Sequence, residues 1–415
     1  MASMMKWRIV SSALLVGLSA YAAPDENDQE KEVPTKKDDR GRIPLFGQDP
    51  AWYAGEEAIR IADNMLVYQR DNGGFPQRYP SIDYTRVLSD ADKDRIRGQK
   101  NLTDTMLDNM ATHPQLRFVA RVATATGLER FKAGFLKGVD YLLAAQQTCG
   151  GWQQSWPRAV YGGYAGHITF NDGAMMGAMT VLNNVAEKKP DYTFVDEERR
   201  AKATEAVKKG VDFILKCQIV VSGKPTVWCQ QHDRETCEPR GARSFEPPAL
   251  CSWESVEVVQ FLMQIDHPSP QVIAAIQNAV AWYDEVKILG KERIKKTDAE
   301  GRTIDVVIVD NPDAPPQWAR FYYCGKLDGW PLGVPELKLN QPIFVDTDRA
   351  HGFRGRGKIY DTMAAISLER RKGYNWMWPY ANKLLNEEYP AWQKKWAPDG
   401  NVLQPAAPTA GSAGQ

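Results

Sequence analysis

Polar side chains that could bind a hard cation recur where predicted helices begin. They are Asp108 and Asn109, Asn171 and Asp172, and Ser252 and Glu254. Carboxylate and amide oxygens are the ligands that Ca²⁺ prefers, so Asp108, Asn109 and Asp172 are candidate calcium ligands. The alternative interpretation is helix capping, in which Asp, Asn and Ser accept hydrogen bonds from free backbone N–H groups. Both interpretations stay open for Ser252.

A second chemical candidate is His232 followed directly by Asp233. The pair could line a cleft and contact a substrate. A histidine beside a carboxylate could also act as the general base of a hydrolase, so both uses stay open.

An internal repeat indicates the elements that must position these residues. Three times an aspartate precedes a glutamine by six residues, and an aromatic residue follows with another glutamine two positions later. The sets are Asp63, Gln69, Phe75 and Gln77; Asp140, Gln146, Trp152 and Gln154; and Asp212, Gln218, Trp228 and Gln230. The aromatics are 76 to 77 residues apart. Glycine pairs at 73–74 and 150–151 are expected to stop the preceding helices.

Between the repeats, apolar residues recur at helical spacing, so each unit is predicted to be a helix, a long loop and a returning helix. Stacked helical hairpins of this period predict an all-α fold, namely an (α/α)3 toroid or incomplete α/α barrel with long loops and a few short strands. Residues 304–309 are a strand candidate. Equivalent repeat positions would bring Asp108, Asn109 and Asp172 to the same rim of the toroid.

Both ends of the chain differ in composition from the middle. Residues 1–22 combine two basic residues, an apolar run and a final Ala-Tyr-Ala, which predicts a signal peptide. The run is shorter than the ~18–20 apolar residues of a membrane span. Residues 23–43 are predicted to be a disordered charged linker, 44–398 the folded domain and 399–415 a disordered tail. We therefore expect a secreted or periplasmic protein that does not associate with a membrane after signal removal.

The charge balance argues against a nucleic-acid partner. Lys plus Arg and Asp plus Glu both total 52, so no global field attracts a polyanion, and an acidic substrate would need a local basic patch. Six cysteines permit disulfides in an exported protein, with free buried thiols as the alternative. They are Cys149, Cys217, Cys229, Cys237, Cys251 and Cys324.

Several ordered sequence blocks resemble the family-ten pectate lyases across residues 52–396. They are DNGGFPQ at 71–77, DNMAT at 108–112, ITFND at 168–172, QHD at 231–233, ARSFEPP at 242–248, ES at 254–255, WARFY at 318–322, PIF at 342–344 and ERRKGY at 369–374. The resemblance implies a catalytic domain that cleaves α-1,4-polygalacturonate (pectate) by Ca²⁺-assisted β-elimination. It implies that Asp108, Asn109 and Asp172 hold the calcium and that Arg243 is the catalytic base. A monomer is expected.

Arginine is an unusual base, because guanidinium is protonated in water under ordinary conditions. Neighbouring cations and burial would have to lower the pKa of Arg243. The alternative is a structural ion pair with Glu246 or Glu254. Arg320 is a candidate for binding a uronate carboxylate, or it could only stack on Trp318 or Tyr322.

The chain departs from the family pattern after residue 344. The family arginine falls on Thr347, and Arg349 can fill its substrate-binding role only with a shift of two residues. Two other functions stay open. One is a hydrolase on an α/α toroid that uses two carboxylates. The other, which the departure at Thr347 favours, is a uronate-binding protein without turnover.

Overall fold

The computed structural model describes residues 45–77, 82–158, 163–346 and 355–403. Within these ranges ten α-helices form. They are α1 (Glu56–Tyr68), α2 (Asp90–Arg97), α3 (His113–Thr126), α4 (Glu129–Ala145), α5 (Ala174–Ala186), α6 (Glu197–Cys217), α7 (Ser252–Met263), α8 (Pro270–Val286), α9 (Leu368–Gly373) and α10 (Tyr389–Trp396).

The helices form two layers. The inner helices α3, α5 and α7 lie side by side, and most residues of α3 and α5 are buried. The outer helices α1, α4, α6 and α8 pack in the same order around them, each against the next. Each unit is an outer helix, a long loop and an inner helix, and the predicted all-α toroid is confirmed.

The repeated glutamines and aspartates connect one outer helix to the next. Nε2 of each glutamine donates to a carbonyl of its own loop and to a carbonyl of the following outer helix, at 2.8–2.9 Å. The acceptors are Gly73 and Gly134 for Gln69, Gly150 and Ala206 for Gln146, and Thr226 and Ala275 for Gln218. Asp63 pairs with Arg130 and Asp140 with Arg199, also across neighbouring outer helices. These repeat residues are therefore structural.

The repeat tryptophans secure the loops to the helices that precede them. The indole N–H groups of Trp152, Trp228 and Trp318 donate to outer-helix carbonyls at 2.7–2.9 Å. Trp318 is a further member of the series, which the spacing did not reveal because a hairpin insertion lengthens its loop. All three rings are buried, so they belong to the core.

Two of the predicted helix-stopping glycines have another function. Helices α1 and α4 end several residues earlier, before Gln69 and Gln146. Gly73 and Gly150 have φ of 95° and 98°, and a Cβ at either would lie 2.1–2.2 Å from a carbonyl oxygen of the next outer helix. Glycine is required here because only it permits both this φ and this approach.

The strands are short except for one hairpin. They are β1 (Phe75–Pro76), β2 (Thr105–Met106), β3 (Ile168–Thr169), β4 (Val220–Val221), β5 (Lys224–Pro225), β6 (Gln231–His232), β7 (Leu250–Cys251), β8 (Lys291–Thr297), β9 (Thr303–Asp310), β10 (Trp318–Ala319), β11 (Phe321–Tyr322), β12 (Pro342–Asp346), β13 (Lys358–Tyr360) and β14 (Met377–Trp378). The hairpin β8–β9 contains the predicted strand at 304–309. Strands β13, β12, β11 and β7 form an antiparallel sheet in that order.

The remaining predictions concern cysteines, the tail and the membrane. All six cysteines are free thiols in this structure. Nε2 of Gln277 in α8 donates to the Gly400 carbonyl at 2.6 Å, so ordered contacts continue past the predicted domain boundary at residue 398. No helix in the described ranges is long and apolar enough to cross a membrane.

Candidate active site

The residue two places after each repeat tryptophan accepts backbone hydrogen bonds from one candidate segment. The Gln154 carbonyl accepts from the N–H groups of Leu107 and Asp108, the Gln230 carbonyl from that of Phe170, and the Arg320 carbonyl from that of Ser252, at 2.8–3.3 Å. Because the same contact recurs, Asp108, Asp172 and Glu254 take equivalent places near the starts of the inner helices, as the repeat predicted.

The backbone at the two aspartate segments is strained. Asn109, Met110 and Thr112 have φ of 52°, 58° and 70°, and Asp172 has φ of 49°. Such values cost of the order of 1–3 kcal/mol per residue and persist where the surrounding structure imposes them. Strain of this kind is typical of ligand-binding segments.

The carboxyl groups of Asp108 and Asp172 lie close enough for their charges to interact. Each also accepts from the amide of its neighbour, Asn109 Nδ2 to Asp108 Oδ2 at 3.2 Å and Asn171 Nδ2 to Asp172 Oδ2 at 2.8 Å. Burial is the largest cause that raises the pKa of Asp108 well above its ordinary value, and the charge of Asp172 is the next largest. The buried Asp108 carboxyl therefore lies near the negative charge of Asp172, whose own side chain is exposed.

This donor set fits a hard divalent cation. Oδ1 of Asp108 is buried and has no hydrogen-bond partner among the described residues, and the amide oxygen of Asn109 is a further hard donor. No group of three His, Cys, Asp or Glu side chains in the described ranges converges as a metal site. Because Ca²⁺ takes 6–8 oxygens, Asp108, Asp172 and Asn109 would leave positions for water or for a ligand carboxylate.

Arg243 lies within electrostatic range of both carboxylates and forms an ion pair with Glu246. Its Nε donates to Glu246 Oε2 at 2.8 Å and its Nη2 donates to Oε1. The Tyr374 hydroxyl donates to the same carboxylate at 3.0 Å, and the Phe245 ring lies 4.8 Å from the guanidinium carbon. Burial alone would lower the pKa of Arg243, but Glu246, Tyr374 and Asp172 raise it overall. The predicted alternative, a pair with Glu246, is thus present, although 35% of the side chain is exposed.

Arg320 is buried and paired with Glu254, and its Nη2 also reaches Asn171 Oδ1 at 3.4 Å. Its guanidinium carbon lies 4.6 Å from the Trp253 ring centre and 4.3 Å from that of Tyr374. The predicted stacking on Trp318 or Tyr322 is therefore wrong. Through Asn171, Arg320 supports the segment that carries the second aspartate, while its contact with a uronate stays a prediction.

His232 is engaged by the backbone and is not available for the predicted substrate contact, and Asp233 pairs with Arg240. Nε2 of His232 accepts from the Cys229 N–H at 3.0 Å, and Nδ1 lies 2.9 Å from the Cys237 carbonyl in a fully buried position. Backbone N–H groups of the following turn and Arg240 lower the pKa of Asp233 to about 2. Both residues organise the loop after β6, and the burial of His232 makes it structural, whereas a substrate contact of Asp233 stays a prediction.

The arginine that would replace the family arginine after a two-residue shift lies outside the described residues. Thr347 and Arg349 fall in the gap at 347–354. The shifted-register hypothesis therefore stays a prediction.

Three residues of the site were not predicted. Burial and the carboxylates of Glu254 and Asp172 raise the pKa of Glu257 to about 8. Tyr164 interacts electrostatically with Arg243 and Asp108, and Tyr374 contacts Glu246 as described above. Glu254 and Glu257 are three residues apart on one face of α7, and this spacing could have indicated Glu257 from the sequence. Tyr164 and Tyr374 reach the site only through tertiary packing.

The described geometry can be compared with known proteins. A profile of the family described as pectic acid lyase matches residues 69–385. A family 10 polysaccharide lyase from Cellvibrio cellulosa superposes with a TM-score of 0.66 and 29% identity, covering 82% of this chain and 92% of that one. A mutant of that lyase in complex with trigalacturonic acid gives a TM-score of 0.66 and 28% identity, covering 86% and 99%. A search of curated protein sequences gives no significant match.

Proposed function

The chain belongs to the pectic acid lyase family, and we propose that it cleaves α-1,4-polygalacturonate by calcium-assisted β-elimination to 4,5-unsaturated oligogalacturonides. The observation that carries this proposal is that Asp108, Asp172 and Arg243 lie within electrostatic range of one another, with a carboxylate oxygen of Asp108 buried and unpartnered among the described residues. A related lyase has been observed with trigalacturonic acid, which supports a galacturonate substrate.

The reaction begins with loss of the proton on C5 of a galacturonate unit. This proton is acidic because it lies next to the C6 carboxylate, on which negative charge grows as the C5–H bond breaks. The electron pair forms the C4–C5 double bond, and the C4–O bond breaks as the leaving oxygen takes its electrons. When bound by Asp108, Asn109 and Asp172, Ca²⁺ would neutralise part of the growing charge as a Lewis acid.

We assign Arg243 as the base that removes the C5 proton. A base must be unprotonated, and the Glu246 carboxylate opposes this by raising the pKa of the guanidinium. Cationic charge added next to Arg243 would lower its pKa again. Turnover should therefore increase toward alkaline pH, where the neutral guanidine is more populated.

The geometry disfavours a two-carboxylate hydrolase. Such enzymes separate their acid and base carboxyl groups by about 5 Å or more so that a sugar or a water fits between them. The charges of Asp108 and Asp172 act on each other at short range, which suits a shared cation better than this division of roles.

The test is incubation with polygalacturonate in calcium or in excess chelator, followed by ultraviolet absorbance of the unsaturated product. We expect product only with calcium, and Asp108→Ala and Asp172→Ala should each lose most of the rate while remaining folded. The matched control is Asp94→Ala, an exposed aspartate in α2. New reducing ends without the absorbance would indicate hydrolysis, and binding without product would indicate a non-catalytic uronate-binding protein.

A further inference from the structure

An exposed tryptophan lies at one end of a continuous strip of aromatic rings and arginines that begins at the candidate active site. Trp378 in β14 is 47% exposed, although it pairs with the buried Trp318 of β10. Large aromatics normally bury most of their surface because their apolar area is large. An indole held open on the surface is thus a candidate contact for a ligand.

The strip is defined by successive contacts. Arg320, next to the calcium-site segment, lies against Trp253. The Trp253 ring packs on Tyr380 with centres 5.1 Å apart, and the Tyr380 N–H donates to the Trp378 carbonyl at 2.9 Å. The Arg293 guanidinium of β8 lies 5.3 Å from the Trp378 ring centre. Side-chain contacts, with one backbone hydrogen bond between Tyr380 and Trp378, therefore connect the site with the hairpin β8–β9.

An arginine nitrogen without a hydrogen-bond partner among the described residues lies at the same place. Nε of Arg293 is buried and has no hydrogen-bond partner in the described part of the chain. Lys295 is two residues further along β8, on the same face of the strand, and burial together with Arg293 lowers the pKa of Lys295. A half-buried arginine beside an exposed lysine favours an anionic ligand.

The hairpin that carries these cations is anchored to the domain. Arg371 of α9 donates to both carboxylate oxygens of Asp305 in β9, at 3.0 and 3.2 Å. The Val306 side chain of β9 is buried. A charge presented on a fixed hairpin loses little entropy when it binds a ligand.

We propose that Trp378, Arg293 and Lys295 form a distal subsite for one galacturonate unit of the bound chain. The sugar ring lies on the exposed indole, and its carboxylate accepts hydrogen bonds from the Arg293 guanidinium, with Lys295 adding charge. This inference rests on the proposed function, because it assumes that the ligand is a polyuronate extending from the active site. The subsite would favour long substrates over short ones.

The experiment measures binding of trigalacturonate and hexagalacturonate by calorimetry in chelator, for wild type, Trp378→Ala and Arg293→Gln. We expect each variant to bind the hexamer about tenfold more weakly, the size of a charge-assisted contact, and the trimer with unchanged affinity. Arg302→Gln at the exposed tip of the same hairpin is the charge-matched control. Leu289→Ala is the exposed apolar control.

Two further arms make the result decisive. With methyl-esterified hexamer, Arg293→Gln should have no effect, whereas Trp378→Ala should still weaken binding, and Trp378→Tyr should restore most of the affinity. Wild-type hexamer affinity in both variants, or equal losses for trimer and hexamer, would overturn the subsite. Melting temperatures exclude unfolding as the cause of a loss. Absence of unsaturated product from the wild type would refute the proposed function instead, because the binding measurement needs no turnover.

Discussion

At the scale of residues, the fold buries the carboxyl group of Asp108 close to the like charge of the exposed Asp172. Burial and the Asp172 charge raise the pKa of Asp108, and raised pKa values of carboxyl groups mean that the charged form destabilises the folded state. A cation would remove this repulsion. Affinity for calcium and low stability without calcium therefore have the same cause.

Asp108→Asn should stabilise the metal-free protein and abolish activity. The folded-state pKa of Asp108 is raised, so the wild type loses stability as pH increases above about 4, and the asparagine variant should not show that loss. We expect the variant to gain about 0.5–2 kcal/mol in chelator near neutral pH, measured by urea unfolding. Calcium should stabilise the wild type alone. An unchanged or lower stability of Asp108→Asn in chelator would contradict this account, and exposed Asp94→Asn serves as the control.

Glu246→Gln should shift the alkaline rise of activity to lower pH. The Glu246 carboxylate stabilises the protonated guanidinium of Arg243 and raises its pKa, so removing its charge should favour the neutral base. The change keeps the volume of the side chain and should cost about 1–3 kcal/mol of stability. Measured pH–rate profiles check the prediction, with Glu238→Gln as control because Glu238 pairs with exposed Lys326. A profile identical to the wild type would mean that Arg243 is not the titrating base.

At the scale of elements, the repeat is held together by polar side chains that bond to carbonyls of the next helix. Gln146 is a half-buried example, with both bonds at 2.8 Å to Gly150 and Ala206. Because the bonds run between consecutive outer helices, they determine how each unit rotates against its neighbour. The backbone carbonyl of Gln154 holds the segment that contains Asp108. The position of the loop that carries Gln154 depends on that rotation.

Gln146→Ala should destabilise the fold without altering substrate affinity. It leaves two carbonyls without their donor, which costs about 1–3 kcal/mol, equal to a shift of a few degrees in Tm. The measurements are thermal unfolding and KM on polygalacturonate. Gln271→Ala, at an exposed position in α8, is the matched control. A large change in KM with unchanged stability would show that Gln146 acts on the cleft directly.

At the scale of the whole molecule, one buried ion pair joins segments far apart in the chain. Arg320 follows the third repeat tryptophan, Glu254 lies in α7, and Asn171 precedes α5. A buried pair of this kind contributes little by itself, but loss of one partner leaves the other charge buried and uncompensated. Global stability and the position of Asp172 are therefore coupled through Arg320.

Arg320→Met should lose about 3–5 kcal/mol of stability because Glu254 remains buried without its partner. Adding Glu254→Gln should recover a large part of that loss but not the activity, since Asn171 still lacks its contact. A double-mutant cycle of urea unfolding and turnover separates the two effects. The exposed pair Arg302 and Asp298 provides the control, with an expected coupling below about 1 kcal/mol. Additive losses in the Arg320 cycle would refute the coupling.

The sequence alone determined the toroid, because its repeat is local. A helix followed by a loop and a second helix has a pattern that is readable within each unit, and equal units must stack in an equal manner. The same logic correctly placed Asp108 and Asp172 at equivalent positions. Neither conclusion required knowledge of contacts between distant segments.

Only the tertiary structure decided which polar residues face a ligand and which serve the fold. His232 followed a repeat loop as a cleft residue would, yet its burial and two backbone contacts make it structural. Arg243 had two candidate carboxylates, and packing selected Glu246. Trp378 is the same residue type as the buried tryptophans, and yet its side chain is exposed. Burial depends on residues that are distant in sequence, so spacing along the chain cannot report it.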